Sequence, residues 1–374
     1  MCGSLILNRL TRGLAGSKRL SEESIKGDVS LKRSYWLFAL ILLVISLLYS
    51  CGDDGTPTEP PVKYGWSTMS SGTGLNIYGL WGTSDSNVYA VGSEGAILHY
   101  DGSSWTEVAY AGKPSVALRR IWGVANDTIF VVGDYRHIIR YNGTTWTVSQ
   151  YPATDEVPAD AHFRDVWGTS GSNVYIVGSQ GVTLHYDGSD WDEMPNPVGT
   201  TLLTGVWGSS PDVVLACGAN GTFLLKTPGE DWDIIVDTMT DNLVLAASGT
   251  SQADVFFVGE YNASATQFGR HTAIHLKVIT NGTIGTSADN LGAIWATLVN
   301  ALPDQDLNDV WAYTPGKAFV VGNNGTIIRL TYSTLSWSTM VSPTSSHLRC
   351  VWGSSGTDVF AAGDAGVIVH YGPQ

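Results

Sequence analysis

An all-β chain, a seven-bladed β-propeller closed by an N-terminal strand, is the fold class this sequence predicts, and three observations predict it. The first is an interval. Trp81–Gly92, Trp122–Gly133, Trp167–Gly178, Trp207–Gly218, Ser248–Gly259, Trp311–Gly322 and Trp352–Gly363 each span eleven residues, and each closes an apolar run. Most of these steps lie about 40 residues apart, and a period of that size, rich in β-branched residues, aromatics and Gly turns, marks an array of four-stranded units. The second is the end of the chain. The last repeat stops at Tyr371-Gly372-Pro373-Gln374, one strand short, while Gly65-Trp66-Ser67-Thr68-Met69 reads almost as Ser336-Trp337-Ser338-Thr339-Met340 does. Trp66 precedes Trp81 by fifteen residues, as Trp337 precedes Trp352. The N-terminal segment 62–70 is therefore expected to supply the missing strand and to remove the open edges of a linear array. The third is element length: in blade three the expected strands cover 163–168, 173–178, 182–186 and 191–194, each too short for a helix.

Asp101-Gly102, Asn142-Gly143 and Asp187-Gly188 sit between apolar runs and are expected to form tight hairpins, because both residue types tolerate positive φ. That makes the Asp and Asn turn formers and not metal ligands. Blade five departs from the pattern. Ser248 replaces its tryptophan, and its outer-strand Trp295 lies 47 residues further on, against 24 from Trp81 to Trp105 in blade one. The extra residues, from Tyr261 to about Asn290, form an insertion in one loop, a place where length costs little stability.

Ahead of the repeats, Lys32 and Arg33 precede an apolar run from Tyr35 to Tyr49 that ends at Ser50-Cys51-Gly52. The run is shorter than the roughly twenty residues that cross a bilayer, and the pattern reads as a secretory signal, with an uncleaved signal anchor as the alternative. Leu48-Tyr49-Ser50-Cys51 resembles the bacterial lipobox, which implies lipidation of Cys51. Residues 1–50 are thus expected to be a lipoprotein-type signal peptide, 51–61 a flexible Pro-rich tether, and 62–374 the propeller. The lipid anchor would place the chain at the bacterial cell envelope, on the outer membrane or cell surface. Cys217 and Cys350 occupy different repeat positions and are expected to be buried free thiols.

Residues 1–50 hold seven of the 20 basic and three of the 34 acidic residues, so the remainder carries 13 against 31, near −18. Such a domain has no electrostatic footprint for nucleic acid. Gly-rich phosphate loops, Cys-x-x-Cys pairs, His-Glu-x-x-His and Gly-x-Ser-x-Gly do not occur in the sequence, and neither a metal nor a cofactor is expected.

The unit Val166-Trp167-Gly168-Thr169-Ser170, Asn173 to Gly178, Gly181, His185-Tyr186-Asp187-Gly188 and Trp191 resembles the repeats of bacterial secreted propellers of the BNR or sialidase-like type. It is also similar to the propeller of photosystem II assembly factors. The likeness covers 62–374 and implies architecture. The superfamily spans hydrolases, assembly factors and surface proteins, so it does not by itself imply an activity. The Asp-Gly turns are a shortened relative of the BNR Asp-box, a folding element.

In propellers of this kind the loops before the innermost strand share one face with the loops joining the second and third strands. The repeat places Arg119, Arg120, His162, Arg164, Asp165, Asn308, Asp309, His347 and Arg349 at the first set. Glu94, Asp134, Arg136, Gln180, Asn220, Glu260, Asn324 and Asp364 fall at the second. Arg119, Arg164 and Arg349 are repeat-equivalent cations on an acidic chain. Together with Asp165, Asp309 and Glu260 they are the candidate ligand contacts. The resemblance to sialidases implies a triad that clamps a carboxylate, whereas a plain structural reading pairs these arginines with Asp165 or Asp309 on the rim. His99, His185 and His370 recur on third strands in separate blades and are expected to pack there. The expected function is an envelope-anchored, monomeric binding or protein-interaction module for an envelope protein or glycan, favoured over an enzyme, with catalysis left open. The alternatives are a secreted glycan hydrolase of sialidase-like ancestry and a scaffold or assembly factor for a membrane complex.

Overall fold

In the computed structural model the described residues are 62–211, 213–226, 229, 231–234, 240–264, 271–276, 302–331 and 336–374. The signal segment, Cys51, the tether, Trp295 and most of the blade-five insertion lie outside them. Within them the repeat folds into seven antiparallel sheets, one per blade, each beginning with an eight-residue strand: Ile77–Ser84, Leu118–Ala125, Phe163–Ser170, Leu203–Ser210, Val244–Ser251, Leu307–Thr314 and Leu348–Ser355. These first strands contact one another around the ring and are its innermost layer. Blade three continues through Asn173–Gly178, Thr183–Tyr186 and Trp191–Glu193, within two residues of the expected bounds.

Ring closure follows the expectation. Tyr64–Met69 pairs antiparallel with Ile368–Pro373, Trp66 opposite Tyr371, and becomes the outer strand of blade seven. Trp66 is 8% exposed and packs against Phe319 of blade six at 6.1 Å and Tyr371 at 5.4 Å. A strand from the start of the propeller thus completes its last sheet, so the first and last blades cannot separate without breaking this ladder.

The core is divided among the interfaces. Each of seven apolar clusters takes residues from two adjacent blades, such as Val91 and Ile97 of blade one with Ile121 and Ile129 of blade two. The tryptophans of the repeat join these interfaces through the glycines that follow them. Trp81 lies over Gly123 of the next blade, Trp122 over Gly168, Trp167 over Gly208, Trp207 over Gly249, Trp311 over Gly353 and Trp352 over Gly82. A Cβ on Gly123 would fall 2.7 Å from the Trp81 ring. Where a repeat carries both, its Trp and its Gly therefore serve different interfaces, one forward and one backward.

Every first strand also carries a β-bulge near its start, where the register skips one residue: Tyr78, Arg119, Arg164, Thr204, Leu245, Asn308 and Arg349. A bulge leaves a residue unpaired and re-aims its side chain.

The hairpins correct one expectation. Asp101-Gly102 and its counterparts occupy four-residue loops, with Tyr100 opposite Trp105 and Tyr186 opposite Trp191. Positive φ falls on Gly102, Gly143 and Gly188 and not on the residue before each. The Asp contributes through its carboxylate. Oδ1 of Asp187 accepts N–H from Ser189 and Asp190 at 2.7 and 2.9 Å and the Ser189 hydroxyl at 2.8 Å.

Candidate functional site: the channel mouth

All seven bulge residues line one cavity of about 440 Å³ at the mouth of the central channel, together with Arg120, Leu202 and Leu243. The bulge is the cause. Arg119 and Arg120 are neighbours in one strand and would otherwise point to opposite faces, yet the skipped register brings both to the channel. The lining is sided. Arg349, Tyr78, Arg119 and Arg164 from blades seven, one, two and three form a cationic arc, with Arg119 stacked over Tyr78 at 4.9 Å. Thr204, Leu245 and Asn308, with Leu202 and Leu243, form a neutral, largely apolar arc opposite.

The arginines differ in how well they are compensated. Arg119 holds Asp134 bidentately at 2.8 and 2.7 Å, and Arg349 holds Asp364 in the same way at 3.0 and 2.9 Å. Hydrogen bonding to Asp364 raises the Arg349 pKa. Arg164 comes no nearer than 3.9 Å to Asp134, whose oxygens Arg119 already occupies, and donates no hydrogen bond among the described residues. Burial and then the like charge of Arg119 lower its pKa. The rim carboxylates are thus Asp134 and Asp364, one residue after the glycine closing the second strand. Asp165 and Asp309, which the sequence suggested as rim partners, are engaged below.

That lower layer is a buried floor. Arg120 reaches across the ring from blade two to Asp309 of blade six, with Nη2 to Oδ1 at 2.9 Å and Nη1 to Oδ2 at 3.1 Å. Its Nε lies 3.5 Å from Asp165 of blade three. The three side chains are 16%, 10% and 11% exposed. Asp309 also accepts the N–H of Val351 at 2.9 Å, and Asp165 those of Val166 and Val206, both at 2.9 Å. Burial works against the Arg120 charge, but Asp309 and Asp165 outweigh it and its pKa rises. Burial pushes the Asp165 pKa up to about 6, against the pull of Arg120 and the two N–H groups. The other residues at this repeat position are small, Gly79, Gly205, Ala246 and Cys350, which leaves room for the guanidinium to cross.

The candidates separate accordingly. Arg119, Arg164 and Arg349 share the mouth; Asp165 and Asp309 belong to the floor; Glu260 is exposed and lines no part of the cavity. Tyr78, Thr204 and Leu245 were missed, and their signal was only their repeat equivalence to Arg119. Residues before the first strands fasten blade to blade: the N–H of Tyr135, Asn324 and Ala365 reach His162 Nδ1, His347 Nδ1 and Asn76 Oδ1 at 3.4, 3.1 and 2.8 Å. Arg136 takes a place held by glycine in most blades, at φ +63°, and its guanidinium bonds the carbonyls of Tyr151, Pro158 and Ala159.

Elsewhere the structural readings hold. His99 stacks on Tyr89 at 4.5 Å and bonds Asn87, and His185 stacks on Tyr175 at 4.6 Å and bonds Asn173. His370 packs against Phe360 at 4.4 Å in a tilted arrangement and bonds Asp358. Cys217 and Cys350 are buried free thiols, their pKa raised by burial.

No protein-family model matches the chain, and no curated protein does. Among solved structures it is similar to YCF48 from Cyanidioschyzon merolae, 14% identical over 82% of this chain and 98% of that one, with a TM-score of 0.59. YCF48 bound to D1 peptide matches at 13% identity over 83% and 97%, TM-score 0.58. A virginiamycin B lyase from Staphylococcus aureus solved with quinupristin matches at 11% over 83% and 100%, TM-score 0.61. At such identities the likeness is one of fold, and the chain is a seven-bladed β-propeller.

Proposed function

We infer that this chain is a binding module, and that its channel mouth receives an acidic or carboxylate-bearing segment of a protein partner. The observation that carries this reading is Arg164, a half-buried cation at a shared mouth with no hydrogen-bonded carboxylate. An arginine fork in such a place recognises a carboxylate through paired charge-assisted hydrogen bonds. On a chain of net charge −14, a local cationic arc also steers an anionic partner to one place. The apolar arc opposite offers contact area for the rest of the segment. A propeller of similar fold, YCF48, is known with a D1 peptide bound, which is consistent with a peptide ligand and with an assembly-factor role.

Anchoring at the bacterial cell envelope through Cys51 belongs to the same reading and rests on the apolar run and the lipobox-like residues of the sequence. Glycan hydrolysis is less well supported. The rim carboxylates Asp134 and Asp364 are each engaged by a guanidinium, and Asp165 and Asp309 are buried in the floor, whereas hydrolysis of a glycosidic bond calls for an accessible carboxylic acid beside it.

The experiment is a partner capture from envelope extracts with the parent, Arg164→Ala and Arg164→Glu, after crosslinking. A partner held by the parent, weakened by Arg164→Ala and lost with Arg164→Glu supports the reading. Equal capture by all three folded proteins overturns it. A fatty-acid probe that labels the parent but not Cys51→Ser supports the anchor, and label on Cys51→Ser refutes it.

A further inference from the structure

Resting on the reading of the mouth as a carboxylate site, we propose that the site continues over the rim between blades two and three, where Tyr135 receives an aromatic side chain of the same partner segment. A break in the repeat points there. Six blades turn from second to third strand through two residues at positive φ: Glu94-Gly95, Tyr135-Arg136, Gln180-Gly181, Asn220-Gly221, Asn324-Gly325 and Ala365-Gly366. Five of the pairs end on glycine, and a Cβ there would strike a carbonyl of the loop leading to the next blade, that of Pro114, Gly199, Thr240, Thr344 or Thr73. Blade two has no glycine at this place. Its loop, 151–162, takes the Arg136 guanidinium through the carbonyls of Tyr151, Pro158 and Ala159, and Gln150 Nε2 donates to the Tyr135 carbonyl at 2.9 Å.

The turn is thus held firmly, with a tyrosine at its tip. A left-handed backbone disfavours a bulky side chain, and the equivalent residues Glu94, Gln180, Asn220, Asn324 and Ala365 are all without a ring. The fold gains little from the ring in return. Tyr135 is 48% exposed, packs only against the His162 ring at 4.8 Å among the described aromatic groups, and its hydroxyl makes no hydrogen bond among the described residues. A rigid, exposed aromatic on a strained turn is a feature of binding surfaces, because it offers contact area at low conformational cost.

Its position ties it to the free cation. His162 Nδ1 lies 3.1 Å from Asp134 Oδ1, and Arg164 Nη1 approaches that same oxygen to 3.9 Å. These contacts put the Tyr135 ring within about four residues of extended chain from Arg164, at about 3.3 Å each. A segment held at Arg164 by its carboxylate leaves the channel over this rim with a side chain in reach of the ring. An aromatic group suits the place, since it meets the phenol edge-on or offset and adds no charge beside Asp134.

The test uses the full chain and acetylated, amidated peptides that carry one glutamate and one 4-fluorophenylalanine separated by zero to six serines. Fluorine NMR titration reads Kd, and the peptide with glutamate alone is measured as a competitor. The expected results are an optimum at one to three intervening residues and affinity about tenfold above that of the glutamate-only peptide. Tyr135→Asn should remove that gain and Tyr135→Phe should keep it. Asparagine holds the same place at Asn220 and Asn324, with φ +56° and +54°, so Tyr135→Asn preserves the turn; should it not fold, Tyr135→Ala, with the residue type of Ala365, serves instead. Equal binding to the parent and the folded variant, or affinity that keeps rising to six serines, overturns the aromatic contact and leaves the mouth reading intact. Binding that survives Arg164→Glu, or no binding of any peptide, overturns the mouth reading and this one with it. A loss in Tyr135→Asn that the glutamate-only peptide shares places the effect in the mouth and overturns the assignment to the ring.

Discussion

Ser248 Oγ accepts a hydrogen bond from the backbone N–H of Ala312 at 3.0 Å. This is the interface at which the repeat loses its tryptophan, and the facing position of the next blade has lost its glycine as well. The two departures in the sequence are therefore one event in space: without an indole to cover it, position 312 has room for a methyl group, and a serine hydroxyl replaces ring packing by a hydrogen bond to the strand.

At the regular interfaces the converse holds. Gly123→Ala sets a Cβ 2.7 Å from the Trp81 ring and 2.9 Å from the Thr128 carbonyl, and should lower unfolding free energy by about 1–3 kcal/mol. Ser248→Trp alone should also destabilise, because Ala312 blocks the ring. Adding Ala312→Gly should recover part of the loss. A double-mutant cycle in denaturant reads the coupling between the two sites.

Removal of residues up to Ser71 takes away the outer strand of blade seven. The expected outcome is a lower Tm and aggregation, since Ile368–Pro373 becomes an open edge. Trp66→Ala isolates the side chain from the ladder and should cost about 3–5 kcal/mol, the usual loss for a buried indole. An unchanged Tm in the truncated chain would mean that the ring closes without this strand.

Arg120 and Arg164 should separate stability from recognition. Arg120→Ala leaves Asp165 and Asp309 buried without their cation, and should cost about 3–5 kcal/mol. Arg164→Ala breaks no hydrogen bond among the described residues and should stay within about 1 kcal/mol of the parent. Chemical denaturation of both variants at neutral pH checks the contrast.

The aspartates predict opposite pH behaviour. The Asp165 pKa, near 6 in the fold, exceeds its ordinary value near 3.9, so its ionisation opposes folding above pH 6. That opposition, on the order of 3 kcal/mol, is relieved as pH falls from about 6 to 4. Asp187 is held down to about 2 by hydrogen bonds from Asp190 and Ser189, so its contribution is present above about pH 4 and disappears as pH falls toward 2. Relative to Asp165→Asn the parent should gain stability between pH 6 and 4; relative to Asp187→Ala it should lose stability below pH 4. Unfolding measured across pH 2–8 for the three proteins reads both signs.

How much of this was legible in the chain depends on the range of the interaction. The eleven-residue interval, the Asp-Gly loops and the match of Trp66 to Trp337 are local or periodic signals, and an array in which each unit packs on its neighbours turns such signals directly into architecture. Blade count, ring closure, packing roles for His99, His185 and His370, and buried thiols at Cys217 and Cys350 could all be read in this way. The convergence of Arg119, Arg164 and Arg349 on one mouth could be read too, because equivalent positions in a closed ring face a common axis.

Partner choice within the ring could not. The bulge that turns both Arg119 and Arg120 inward is a register skip with no residue of its own to announce it, so alternation along the strand misleads about Arg120 and hides Tyr78, Thr204 and Leu245. Arg120 meets Asp309 across 189 positions of sequence, a contact that exists only once the ring has closed and has left small side chains between them. The sequence by itself determined what recurs, the seven blades and the residue types that face the axis. The tertiary structure decided which carboxylate each arginine takes, and so which cation remains for a ligand, because that choice depends on distances across the channel that no periodicity encodes.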